Sequence, residues 1–414
     1  MKILKSGYIS IAEACTALKV SIDTIRRWEK KGLIKAKRDH AGHRIFDVKE
    51  LRRLEDKING KGDVNYHVLK SKNKSKYKVV ELFAGCGGLA LGFENAGLDC
   101  ELLVEIDKTA VETLKKNRPR WKVIGDDIVN VNFKKVKADI VAGGFPCQAF
   151  SYAGNRRGFE DTRGTLFFEF ARAVKEINPK IVVGENVRGL ERHDKGRTLS
   201  TMINVLEDFG YLVSHKILKA QYFDVAQKRE RLVIIGVRKD LNKDIAFPKE
   251  KNYTVSLREA LREVPKSFGQ NYTKQKKTIM QKIPQGGYWR DLPQPIRKKY
   301  MGGSYYLGGG KTGMARRLSW DEPSLTLTCN PAQKQTERCH PSETRPLTVR
   351  EYARIQSFPD SWEFSGSMSA QYKQIGNAVP VNLGYYIGKT IISILDDDYS
   401  SSSFPLEVVQ RTLF

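Results

Sequence analysis

Cys147 stands in the run Gly144-Phe145-Pro146-Cys147-Gln148-Ala149-Phe150-Ser151, directly after the apolar stretch Ile140-Val141-Ala142. A thiol held by a rigid proline at the mouth of a strand is a candidate nucleophile, because the thiolate attacks carbon readily. Such a nucleophile needs a proton-carrying group and a fixed cation beside it. Glu185-Asn186-Val187 offers a carboxyl, and Gln227-Lys228-Arg229-Glu230-Arg231 offers two guanidinium groups. A fourth feature, Phe83-Ala84-Gly85-Cys86-Gly87-Gly88, is a glycine-rich turn that lets a ligand approach the backbone closely. Glu105 lies at the end of the next apolar run, where an acid can accept hydrogen bonds from both ribose hydroxyls. Singly, each group has a plain alternative: a buried cysteine, a helix-terminal carboxylate, a surface ion pair, a tight turn. The loop and Glu105 alone would also suit NAD, although the full GxGxxG spacing is absent.

The elements that would position these groups follow from the hydrophobic pattern. Strand-like runs Val79–Phe83, Cys100–Val104, Asp139–Ala142 and Ile181–Val183 alternate with helical stretches Leu89–Asn95, Ala110–Lys116, Thr165–Ile177 and Leu199–Phe209. Short apolar strands separated by helices predict a largely parallel, doubly wound α/β sheet over residues 78–241, closed by the strand Leu232–Ile235. From 242 to 345 there is no sustained periodicity, and glycine clusters at 286–287, 302–303 and 308–310 predict a smaller, irregular domain. Residues 346–398 recover helical character and return to the first domain, while 399–414 read as a mobile tail.

The formal net charge is +25 over 414 residues, and it is unevenly spread: through Lys78 there are 21 Lys and Arg against 9 Asp and Glu. This excess suits a polyanion, since neutralising phosphates releases counterions; a merely basic surface is the bland alternative. Within residues 1–60, Ile11, Ala14, Cys15 and Leu18 mark one short helix. Ser21, as N-cap, opens a second through Ile25 and Trp28 to Gly32. Leu33–Arg38 and Ala41–Phe46 read as a two-stranded wing, and Asp47 caps a further helix. Residues 25–34 and the Gly42-x-Arg44-x-Phe46 wing resemble the winged helix-turn-helix DNA-binding modules of the MerR and excisionase type. A small helical protein-interaction module is the alternative. Residues 61–77, where Lys alternates with Ser or Asn from Lys70, read as a solvated, flexible linker. Six cysteines without a CxxC pair suggest neither a disulfide framework nor a zinc site, so no metal is expected and a reducing cytoplasm fits. Nowhere do 18 apolar residues run together, so no membrane partner is expected.

In order, spacing and flanking residues, four of these motifs and Gln374-Ile375-Gly376-Asn377-Ala378-Val379-Pro380 resemble the cytosine-C5 DNA methyltransferases, from about Lys78 to about Thr390. The resemblance implies a Rossmann-like methyltransferase sheet, S-adenosylmethionine as cofactor, and methyl transfer to C5 of a cytosine in a specific DNA sequence. It implies that Phe83, Gly85, Cys86 and Gly87 wrap the methionine part and that Glu105, beside Ile106, holds the ribose. Asp127 and Ile128 then meet the adenine, and Pro146, Leu166 and Asn377 complete the pocket. Cys147 attacks C6, Glu185 serves N3 and the exocyclic amine, Arg231 contacts O2, and Arg229 supports them. The cytosine must leave the stack, and the loop 151–163 closes over the DNA with Ser151, Arg156 and Arg157. Residues 242–345 take the place of the family's target recognition domain. Its cations Lys274, Lys276, Lys277, Arg316 and Arg317 suit groove and phosphate contacts, Thr326 stands beside the extruded base, and Gln227 is a further expected DNA contact.

The expected partner is double-stranded DNA in a bacterial or phage-host cytoplasm, at the nucleoid, with a cognate restriction endonuclease as companion. On the N-terminal module, Arg26, Arg27 and Arg44 are the expected DNA contacts. A homodimer on an operator of two half-sites would follow if the module represses the enzyme's own gene; tethering that merely raises local DNA concentration is the rival. An RNA cytosine-5 methyltransferase and a non-catalytic DNA-binding regulator are the other readings. The long recognition region argues against the first, and the joint presence of Cys147, Glu185 and Arg231 against the second.

Overall fold

The computed structural model describes residues 8–18, 20–30, 34–48, 50–51, 67–145, 166–307, 311–400 and 404–409. It divides into a unit of Met1–Asn65 with Lys251–Tyr253, and a second unit holding the rest.

The larger unit is built on one seven-stranded sheet. Its strands are β1 (Lys78–Leu82), β2 (Asp99–Val104), β3 (Val123–Ile124), β4 (Ile140–Gly143), β5 (Ile181–Val187), β6 (Tyr211–Lys219) and β7 (Glu230–Arg238). Their order across the sheet is β3-β2-β1-β4-β5-β7-β6. The first five run parallel, joined by the crossovers that helices α1 (Gly88–Ala96), α2 (Lys108–Asn117) and α3 (Leu166–Ile177) lie on. β7 runs antiparallel to both β5 and β6, so the sheet is mixed rather than wholly parallel. β6 has only an intermediate burial pattern, with polar Ser214, His215 and Lys216 in its middle. A half-solvated edge strand lacks the continuous apolar run by which the buried strands are recognised.

Alternation of side chains divides the core in two. Val79, Leu103, Ala142 and Val183 face α1 and the long helix Val381–Asp396, whereas Val80, Leu82, Val141 and Val182 face Phe167, Phe170, Met202 and Leu206. Where α1 crosses Val381–Asp396 the two backbones touch: a Cβ on Gly92 would come within 2.6 Å of the Gly384 backbone. The C-terminal helices are thereby locked onto the glycine-rich loop that begins α1.

Three boundaries differ from the sequence expectation. The solvated linker does not extend to Lys76: the Leu69 amide donates to Asn382 Oδ1 (2.9 Å), Asn382 Nδ2 donates to the His67 carbonyl (2.9 Å), and the Ser71 and Ser75 amides donate to Asn95 and Gly97. Val68 and Leu69 pack on the main core, so two apolar residues among lysines suffice to pin the segment. The tail is not mobile throughout, because Leu406–Val409 pairs antiparallel with Ile245–Pro248 and Phe404 stacks on Tyr386 at 5.5 Å. Ile245, Ala246, Phe247, Leu257, Leu318 and Leu327 belong to the main core, and the irregular domain's own core is smaller, around Met280, Ile283, Trp289, Leu292, Met301 and Met314.

The smaller unit has helices Ile11–Leu18 and Ile22–Lys30 and a three-stranded antiparallel sheet of Tyr8–Ser10, Arg44–Asp47 and Ala36–Arg38, in that order. Ser10 and Glu13 cap the first helix reciprocally, and Ser21 Oγ accepts the Thr24 amide at the start of the second. Ile9, Ala14, Ile25, Ile34, Phe46 and Leu51 form its core.

Candidate active site

Pro146, Cys147, Ser151, Arg156 and Arg157 lie outside the described residues, as does all of 146–165. What leads into that segment is tightly held. Phe145 is buried between Phe167 and Phe170, with ring centroids 5.3 Å away in both cases, and its carbonyl accepts a hydrogen bond from Asn186 Nδ2 at 2.8 Å. Asn186 Oδ1 in turn accepts the Val187 amide at 2.8 Å, which fixes the amide's orientation. Gly144 lies against the Glu185 carboxylate: a Cβ there would stand 2.8 Å from Oε2, so a larger residue would push that side chain aside. Asn186 therefore holds the backbone just before Cys147, and the Glu185 carboxylate lies beside it.

Glu185 sits on β5 opposite Val233, and Arg231 lies two residues along β7 on the same face. Their side chains meet diagonally, Arg231 Nε to Glu185 Oε1, at 2.6 Å, with 11% and 12% of each side chain exposed. Burial lowers the pKa of Arg231 while Glu185 opposes that shift. Beside Arg231 opens a cleft of about 360 Å³ whose wall includes Arg188, Lys219, Lys228 and Thr326. Thr326 is half-buried and its hydroxyl donates to the Lys228 carbonyl at 2.7 Å.

Gln227, expected to contact DNA, is structural instead, and Arg229 has the supporting place expected of it. Gln227 is wholly buried, its Nε2 donating to Gln356 Oε1 (2.9 Å) and its Oε1 accepting the Leu327 amide (2.8 Å), so it cannot touch DNA. Arg229 is also buried and gives its guanidinium to the carbonyls of Gly376 (3.1 Å), Asn377 (3.3 Å) and Leu327 (3.4 Å). It ties the segment leading into β7 to the C-terminal end of helix Met368–Asn377. Simple alternation would place all three on one face; the chain instead breaks at Arg229, Gln227–Lys228 pairing with Ser324–Leu325 and Arg231 belonging to β7, which begins at Glu230. In the irregular domain Arg317 is similarly buried, bonded to the carbonyls of Met280, Ile283, His340 and Glu343, and Lys276 pairs with buried Glu337 at 2.6 Å. Lys274 and Lys277 are exposed.

The glycine-rich turn is shaped by its backbone. Phe83, Gly85 and Gly87 all have positive φ (58°, 54° and 86°). A Cβ on Gly88 would stand 2.1 Å from the Val379 carbonyl oxygen, which leaves no room for any larger residue. The Gly85 amide donates to Glu105 Oε2 at 2.7 Å and the Asp107 amide to Oε1 at 2.8 Å, so the carboxylate is anchored at the loop's edge. Cys86 points away into the core, its thiol donating to the Gln374 carbonyl at 3.4 Å, and burial pushes its pKa up. Ile106 is 64% exposed, as is Val129 at 60%, unusual for aliphatic side chains next to a buried core. Between them Asp127 Oδ1 accepts the Val129 amide at 3.1 Å, Asp126 Oδ1 accepts Asn130 Nδ2 at 3.0 Å, and Ile128 is buried. Leu166 is partly buried at the start of α3. Asn377 Oδ1 accepts the Cys329 thiol at 3.1 Å.

Several site residues escaped the sequence reading. Val129 and Cys329 carry no motif. Glu81 does carry a signal, a charge inside the strand run Val79-Val80-Glu81-Leu82. It is buried, its Oε2 has no hydrogen-bond partner among the described residues, and burial followed by the charges of Glu105 and Glu185 holds its carboxyl well above the usual range.

In the smaller unit Arg26 and Arg27 are exposed on Ile22–Lys30, Arg26 lying 3.9 Å from Asp23. Arg44 instead reaches Glu29 at 3.1 Å and ties the wing to that helix, while Arg38 donates to the Gly42 carbonyl at 2.7 Å.

Residues 77–393 match the family C-5 cytosine-specific DNA methylase, and residues 10–46 match the MerR family regulatory protein family. The chain is 54% identical to the Type II methyltransferase M.Eco47II of Escherichia coli, over 96% of this chain and 98% of that one. It is 56% identical to the Type II methyltransferase M.Sau96I of Staphylococcus aureus, over 78% and 77% of the two chains. Among solved structures, that of a DNA modification methyltransferase encoded within an E. coli prophage matches with TM-score 0.58 and 26% identity, covering 78% of this chain and 100% of that one.

Proposed function

The chain belongs to the C-5 cytosine-specific DNA methylase family, and from that premise we infer that Cys147, Glu185 and Arg231 carry out the reaction on a cytosine turned out of the duplex. The protein is a DNA (cytosine-5)-methyltransferase of the Type II, restriction-modification kind, using S-adenosylmethionine. The observation that carries the assignment of roles is the buried Glu185–Arg231 pair, set against the backbone that leads into Cys147.

The ring of cytosine is a poor nucleophile at C5 until a group adds at C6. The Cys147 thiolate forms that C–S bond, and the displaced electron pair moves through C5 toward N3. Glu185 shares its proton at N3 and accepts from the exocyclic amine; Arg231 holds Glu185 in place and meets O2. When bound, S-adenosylmethionine supplies an electrophilic methyl on a sulfonium, which the enamine-like C5 takes up. Loss of the C5 proton to a base then returns the electron pair to the ring bond and expels the Cys147 thiolate. The pocket suits this cofactor: Gly85 and Gly87 admit the methionine part, Glu105 is anchored for the ribose, and the exposed Ile106 and Val129 offer apolar surface to a flat base. We place Asp127, Ile128, Leu166 and Asn377 around the same ligand, with Pro146, Cys86 and Phe83 at the methionine end.

DNA containing 5-fluorocytosine at the target should trap the protein covalently, since fluorine cannot leave as a proton does. Cys147→Ala should abolish both trapping and methylation while DNA binding persists; methylation by that variant would overturn the assignment. Bisulfite sequencing of host DNA after expression reads out the recognition sequence, which a cognate endonuclease in the same cytoplasm would share.

The smaller unit supports a second role at the nucleoid. Its exposed Arg26 and Arg27 and its MerR match support docking in a major groove at a separate operator, as a dimer on two half-sites, where it represses the enzyme's own gene. Deleting residues 1–65, which spares the His67–Asn382 contact, should leave methylation specificity unchanged and remove a footprint at that operator. An intact protein that footprints only its methylation sites would leave tethering as the module's role.

A further inference from the structure

The cleft beside Arg231 is rimmed by cations that are already occupied. Arg188 NH1 meets Glu230 Oε2 at 2.7 Å, Lys228 Nζ meets Glu322 Oε2 at 3.0 Å, and Lys219 Nζ lies 3.9 Å from Glu250. All three cations line the cleft. The pairs at Arg188 and Lys228 are solvent-accessible, with 34% to 53% of each side chain exposed. Exposed pairs of this kind contribute little to stability. The backbone around them, in contrast, is fixed. Gln227–Lys228 pairs with Ser324–Leu325, placing Lys228 opposite Leu325, and Thr326 bonds the Lys228 carbonyl. Glu322, two residues before this pairing, is held by its carbonyl to the Leu257 amide. A rigid frame thus presents a cation and its carboxylate partner side by side at the mouth of the proposed cytosine site.

We propose that Glu230 and Glu322 stand in for DNA phosphates: in the free protein they hold Arg188 and Lys228 at the rim, and phosphates flanking the everted cytosine replace them. The inference rests on the functional reading above. A carboxylate in the phosphate position keeps the long cationic side chains ordered, so less conformational entropy is lost when DNA docks. It also competes with phosphates that arrive without a base entering the cleft, so that non-target DNA gains less from these two cations than the target does. The masks raise selectivity at the expense of raw affinity.

The test uses the full-length protein and a duplex of about 30 base pairs carrying the cytosine that bisulfite mapping shows the wild type to methylate. Glu322→Gln frees Lys228 and should tighten binding at least about threefold at low salt, lowering KM for DNA with kcat little changed, and should tighten binding to an unrelated duplex by more. Lys228→Gln should flatten the slope of log K against log salt by about 0.9, the loss of one phosphate contact, and Lys228→Arg should restore it. Melting temperatures within a degree or two of wild type separate these effects from misfolding. If the wild type methylates no cytosine, the functional reading falls and takes this inference with it. If it methylates and either Gln variant binds with wild-type affinity and slope, the masks are ordinary surface pairs and this inference alone is overturned.

Discussion

Glu185 Oε1 accepts a hydrogen bond from Arg231 Nε at 2.6 Å, while the other oxygen of the same carboxylate lies against Gly144, three residues before Cys147. One carboxyl thus lies between the arginine of β7 and the backbone at Gly144. Arg231→Ala removes the cation and leaves Glu185 free to turn, so kcat should fall roughly 100- to 1000-fold. S-adenosylmethionine affinity, measured by calorimetry, should stay within about twofold. Loss of cofactor binding in that variant would place Arg231 in the wrong pocket.

Asn186 never needs to touch the substrate to matter. Its side chain holds the Phe145 carbonyl, and Asn186→Ala should let the Cys147 loop drift; a displacement near 1 Å costs on the order of 100-fold in rate. Single-turnover methyl transfer should slow by roughly 10- to 100-fold with the affinity for DNA retained. Full activity in Asn186→Ala would show that Phe145 is held by its ring packing alone.

Gln227 is expected to behave as a core residue. Gln227→Ala strands the Leu327 amide and one Gln356 amide contact, a cost of about 1–3 kcal/mol in unfolding free energy. The folded fraction should bind DNA like the wild type, and denaturant unfolding alongside a DNA titration separates the two. Weaker DNA binding at undiminished stability would reverse this placement.

Glu81 makes stability depend on pH with a definite sign. Its folded pKa lies well above that of the unfolded chain, near 4.5, so between those values the unfolded state ionises and the folded state keeps its proton. Unfolding free energy from this group therefore decreases as pH rises above about 4.5, by up to about 1.4 kcal/mol per unit, until the folded carboxyl also ionises. Glu81→Gln should melt higher than the wild type at pH 8, and the difference should vanish at pH 4. An equal gap at both pH values would mean that the carboxyl is not held protonated.

Much of the chemistry was legible in the chain because it is written in local patterns. Apolar strands β1, β2, β4, β5 and β7, the glycine turn between β1 and α1, and the serine caps of the small helices follow from steric and hydrogen-bonding rules that act within a few residues. The amino-acid sequence by itself determined which groups could do chemistry: a thiol behind a proline, a carboxyl, guanidinium groups and a glycine loop, in a fixed order. It could not decide which of Gln227, Arg229 and Arg231 reaches the cleft, since all three are polar and recur at every second position. That choice depends on the break at Arg229: β7 begins at Glu230 and runs antiparallel beside β5, which brings Arg231 to Glu185, whereas Gln227 pairs with Ser324 and it and Arg229 meet Gln356 and the Gly376 carbonyl in the interior. The same holds for the lysine-rich segment after His67, where Asn382, more than 300 positions away, supplies the hydrogen bonds that order it. Partners so distant in sequence leave no periodic trace, because burial and pairing are properties of the assembled core.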